Sequence, residues 1–116
     1  MDIIGSRIGQ TSVVALSGAL NTSSAPHLLV RAIALCDTGI RMILIDLDQV
    51  PYVTSSGFRS LIQVRKRAEQ SGVGIALCGL NEVVFDLFDV SGMLDIFHVY
   101  SDRVSALAAI GQPGAS

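Results

Sequence analysis

Charge is scarce in this chain. Only 16% of its 116 residues are Asp, Glu, Lys or Arg, while half are apolar, a balance too hydrophobic for a disordered polypeptide. The charge present sums to −2 with a pI near 5.5, so the dense Lys/Arg surface that nucleic acid demands is missing. The one basic run, Arg65, Lys66 and Arg67, reads as a solvated helix face. Long apolar runs are missing too: none approaches the ~20 residues of a membrane span, and the first residues lack the form of a signal peptide. Cysteine is equally sparse. Cys36 and Cys78 cannot build a disulfide framework and lack metal-ligand spacing, so both are expected as buried, reduced thiols. These absences predict a cytoplasmic protein with no metal, no cofactor, no nucleic-acid partner and no membrane insertion.

The motifs of common enzyme classes are absent as well. There is no Gly-x-Gly-x-x-Gly and no phosphate loop ending in Gly-Lys-Ser/Thr. Ser55 has Gly57 two residues after it but Val53 two residues before it, which breaks the glycine pattern of a nucleophile elbow. A hydrolase could in principle join Ser55 to His98 and to Asp46 or Asp48. His98, however, lies inside a strand-like run, and His27 beside Pro26 reads as a surface residue. Asp46 and Asp48 are expected on opposite faces of a strand end, as a charged rim, with Asp46 placed to orient the turn that follows. The expectation is a protein that is not an enzyme.

What is present centres on residues 42–58. Met42 to Ile45 is an unbroken apolar run, as in a strand covered on both faces. Pro51 stops the ladder because it has no N–H to donate. Thr54, Ser55 and Ser56 then offer oxygens where a helix start needs acceptors for its free N–H groups. In the helix that follows, Leu61, Ile62, Arg65 and Ala68 share one face, with Gln63, Lys66, Arg67 and Gln70 turned away. A hydroxyl beside this helix start sits where negative charge is favoured by about 0.3–1 kcal/mol. It is therefore an address for a reversible phosphate.

Around that centre, Asp2–Ile8 and Thr11–Leu16 read as a hairpin turning at Gly9-Gln10. Asn21 to Pro26 starts a helix carrying Leu28, Leu29, Ala32, Ile33 and Cys36, ended by Gly39. Val73–Cys78 is a short strand. Asn81 caps a third helix whose core face is Val83, Val84, Leu87 and Phe88. Ile96–Tyr100 is the last strand, and Ser101 caps a final helix with Val104, Leu107, Ala108 and Ile110. The order β-β-α-β-α-β-α-β-α predicts an α/β domain over residues 1–110, with one sheet mixed at the hairpin and parallel afterwards. A disordered tail is expected over 111–116.

The block Ile45-Asp46-Leu47, Val50, then Val53-Thr54-Ser55-Ser56-Gly57-Phe58 resembles the core motif of STAS domains. More narrowly, it resembles that of the bacterial anti-sigma factor antagonists. Leu16-Ser17-Gly18-Ala19-Leu20 with Ala25-Pro26, Leu80-Asn81-Glu82-Val83, Ser91-Gly92-Met93 and Ile96–Asp102 with Ala106-Leu107 extend the likeness through most of the chain. The resemblance implies a STAS-like sheet with four helices. It also implies binding to an anti-sigma factor that is a serine-protein kinase, release by phosphorylation of a serine at the second helix start, and reversal by a metal-dependent phosphatase of the PP2C type. The acceptor corresponds to Ser55, with Thr54 second. The family usually carries Asp directly before the serine, where this chain has Thr54. Partner contacts are expected from Thr54, Ser55, Ser56, Gly57, Phe58, Arg59 and Met93, with Tyr52 and Val53 alongside. Arg59 would pair with the phosphate, Met93 would be exposed, and the free protein would be monomeric. The alternative is a STAS interaction subunit, not switched, of a stress-signalling or membrane-transporter complex.

Overall fold

The computed structural model describes residues 1–111. Strands β1 (Asp2–Ile8) and β2 (Thr11–Ser17) form an antiparallel hairpin, turned at Gly9 with φ +60°. Strands β3 (Met42–Gln49), β4 (Gly74–Cys78) and β5 (His98–Tyr100) join in sequence order, each parallel to its neighbour. Between them run α1 (Ala25–Leu35), α2 (Ser55–Gln70) and α3 (Glu82–Val90), and α4 (Arg103–Ile110) closes the domain. This is the expected single mixed sheet with four helices. Parallel strands need crossovers, and the helices supply them. The tail expected from 111 falls, from residue 112 onward, outside the described residues.

The period of two along β3 divides the core. Ile43, Ile45 and Leu47 face α1, α2 and α3, where they meet Leu28, Ala32, Leu61, Val64, Val84 and Phe88. Leu44 faces the other way, joining Val13, Ala76, Cys78 and Ala106 beneath α4. Each fully buried Leu or Ile contributes roughly 1.5–3 kcal/mol. Cys36 and Cys78 are both buried and free. Burial raises the Cys36 thiol above its ordinary pKa. Burial, with the Asp46 carboxylate nearby, pushes Cys78 up to about 12.

Several local expectations change. β3 includes Asp46 and Asp48, as expected of a strand end, and runs on to Gln49, which pairs with Ser17 past an irregularity between Ala15 and Ser17. β5 starts at His98, since residues Met93–Asp95 close a short 3-10 turn with Ile96 and Phe97 donating back to the Met93 carbonyl. In α2 the inward position is Val64, with Arg65 directed to Glu69 at 3.4 Å. The Arg67 side chain is not simply solvated: its Nε is buried without a partner. In α3 only Val84 and Phe88 are buried; Leu87 is half-buried and Val83 is exposed. In α4 Val104 is exposed, and the cap is Asp102 instead of Ser101, accepting from Ser105 N–H at 2.7 Å.

Candidate functional site at the start of the second helix

The segment before Ser55 is held on both sides. After β2 ends, Gly18 N–H donates to the Gln49 carbonyl at 3.0 Å, and Leu20 N–H to the Tyr52 carbonyl at 3.1 Å. Thr54 N–H returns a bond to the Leu20 carbonyl at 2.9 Å, and Leu20 bridges Val53 in parallel. The turn is thus an extension of the β2–β3 pairing, past the residue where Pro51 forbids a regular ladder. Gly57 completes the seat. A Cβ there would lie 2.6 Å from the Leu20 carbonyl oxygen and 2.7 Å from Val53 Cγ1, so only glycine lets α2 approach this closely.

On this seat Ser55 is exposed and is the first residue of α2. The expected capping by hydroxyls does not occur. Thr54 takes the N-cap position with extended backbone, but its side chain accepts no helix N–H. Instead Thr54 Oγ1 points to the Leu20 carbonyl at 3.5 Å, and Ser56 Oγ pairs with Thr22 Oγ1 at 3.0 Å. Ser60, buried one turn on, donates to the Gly57 carbonyl at 2.7 Å. Among the described residues the first-turn amides therefore meet no side-chain acceptor, and the first turn holds no acidic residue. Such a helix start carries roughly half a positive charge. Arg59, exposed and without an ion pair among the described residues, adds a full one.

The other predicted contact residues are arranged differently. Phe58 is half-buried, its ring edge-on to Phe88 at 5.1 Å. Met93 is half-buried against the same core, where full exposure was expected. Tyr52 is exposed and Val53 buried. Thus Thr54, Ser55, Ser56 and Arg59 form one surface, with Phe58 and Gly57 anchoring it from beneath.

Asp46 and Asp48 do not straddle the sheet. Residues two apart on a strand share a face, and both line a hollow of about 310 Å³ with Gly79, Asp102 and Arg103. Asp46 is buried and accepts from Arg103 Nε at 2.8 Å and from Asp48 N–H at 3.0 Å. It ties α4 to the strand ends and does not touch the Ser55 turn, contrary to the orienting role expected of it. Its use was hidden because the partner lies 57 residues away. His27 and His98 are both exposed, and among the described residues no hydrogen bond joins either to Ser55.

A family model described as the STAS domain matches residues 5–106. The chain is 32% identical over 109 residues to BtrV of Bordetella bronchiseptica, named as a candidate anti-sigma factor antagonist, covering 94% of each chain. It is 26% identical over 86 residues to the anti-sigma-B factor antagonist of Staphylococcus epidermidis, covering 74% of this chain and 80% of that one. Among solved structures, a candidate anti-sigma factor antagonist from Thermotoga maritima superposes with a TM-score of 0.87 at 17% identity over 95% of both chains. The unphosphorylated form of the antagonist SpoIIAA gives 0.79 at 14% identity, over 97% of this chain and all of that one. At such identities the structures speak for the fold.

Proposed function

The chain belongs to the STAS domain family, and on that premise we propose that it is an anti-sigma factor antagonist switched at Ser55. In this reading it binds, in the cytoplasm and as a monomer, an anti-sigma factor that is also a serine-protein kinase. Phosphorylation of Ser55 releases it, and a PP2C-type phosphatase resets it. The observation that carries the reading is an exposed hydroxyl on a helix start whose amides no side chain caps. Phosphate would add about −1.5 to −2 charge and three acceptor oxygens there. The free amides and Arg59 can receive it while the pinned turn and Gly57 stay in place, so release needs only charge and bulk at the contact, with no refolding.

The test is incubation with the cognate kinase and ATP. One phosphate is expected, lost in Ser55→Ala; phosphate on another residue, Thr54 first among them, would reject the assignment. Ser55→Asp should weaken kinase binding and leave circular dichroism unchanged. A second reading, an interaction subunit that is not switched, is favoured by Thr54: its half-buried side chain turns to Leu20 and presents no carboxylate beside the acceptor. A partner complex that survives ATP unaltered would select it.

A further inference from the structure

We propose that the outer face of α3 is a docking surface for an amphipathic helix of a partner protein, one whose apolar stripe is bordered by Lys or Arg. The inference goes beyond the Ser55 switch and stands whether or not Ser55 is modified. With Val84 and Phe88 turned inward, α3 presents two parallel rows at i, i+4, i+7 spacing: Val83, Leu87, Val90 and, beside them, Glu82, Asp86, Asp89. Val83 is 57% and Val90 83% exposed. The three acidic side chains are exposed and form no ion pair among the described residues. No Lys or Arg occurs in the chain between Arg67 and Arg103.

Nothing within the fold repays this arrangement. Like charges four apart repel along a helix, and Asp89 sits in a last turn without a basic residue, against the dipole. Exposed valines lower helix propensity. Local rules broken together in this way mark a surface shaped by something outside the chain.

Charge decides among occupants. A second copy paired symmetrically through α3 would bring acidic rows into the same contact, and an anionic membrane would be repelled. A helix with an apolar ridge and a flanking basic row fits both rows at once. α3 is about 13 Å long, room for two turns of such a partner. Asn81 Nδ2, donating to the Val50 carbonyl at 3.2 Å, ties the start of α3 to the loop at Pro51.

The test is amide NMR on the full chain with a synthetic helical peptide of Leu at i, i+4, i+7 bordered by Lys, and a control carrying Glu in place of Lys. Saturable shifts over residues 82–90 are expected with the Lys peptide alone, with affinity falling severalfold as salt rises. Asp86→Lys with Asp89→Lys should weaken binding about tenfold or more while the unfolding midpoint holds or rises, since both sites are exposed and Lys suits the last turn of a helix. Equal binding of the Glu peptide, shifts centred on 54–59 or on β1, no saturable shift, or unchanged affinity in the charge-reversed variant would each overturn the proposal.

Discussion

Two kinds of helix start occur in this small domain. α3 and α4 are closed by their own side chains: Asn81 Oδ1 accepts from Val84 N–H at 2.8 Å, and Asp102 does the same for Ser105. α2 opens on Thr54, Ser55 and Ser56, three residues rich in capping oxygen, yet none caps it. The difference lies in what surrounds each cap. Asn81 and Asp102 are free to fold back on their helices, whereas Thr54 and Ser56 are engaged by the β2–α1 connection through Leu20 and Thr22. The starts of α3 and α4 are self-sufficient and that of α1 is closed by the backbone carbonyls of Asn21 and Ser24, whereas α2 leaves its first-turn amides without a side-chain acceptor among the described residues.

Substitutions can break this comparison or sharpen it. The largest effect should come from Gly57→Ala, where the new methyl group meets the Leu20 carbonyl: a loss of about 1–3 kcal/mol in urea unfolding, exceeding the helix propensity that Ala restores. Next, Asn81→Ala should cost about 1 kcal/mol by the same measurement, since a true cap and the bond to the Val50 carbonyl vanish together. Thr54→Asp should raise stability by about 0.5–1 kcal/mol, a carboxylate now reaching the vacant amides. Thr54→Ala should change it by only a few tenths, in contrast to Asn81→Ala. A loss near 1 kcal/mol there would mean that Thr54 caps after all.

Asp102 allows the contrast to be read by pH. Its carboxyl is held below the usual range first by the Ser105 backbone N–H and then by the Ser105 hydroxyl. A lowered folded-state pKa means that this stabilisation is present above the unfolded value, near 3.9, and fades as pH falls through the folded one. Asp102→Asn should therefore remove a small acid-side drop in unfolding midpoint. No matching drop is expected from the α2 cap, where Thr54 does not titrate.

Much of this was legible in the residues alone. The run Met42–Ile45, the punctuation at Pro51 and the glycines after each helix gave the right element order. The motif around Ser55 gave the family. What escaped were pairings made at a distance. Asp46 looked like a rim charge because Arg103 lies far along the chain. The Thr54 and Ser56 hydroxyls looked like caps because Leu20 and Thr22 come from another crossover. Val83 looked like core because a four-residue apolar set does not say which of its members points at the sheet.

The sequence by itself determined the periodicity, the turns and thus the order of strands and helices, because these depend on neighbours a few residues apart. Only the tertiary structure decided which polar groups are spent and which are left open. A hydroxyl or carboxylate bonds to whatever the fold brings within 3 Å or so. At the start of α2 the fold brings the partners to Thr54 and Ser56, and leaves Ser55 facing water.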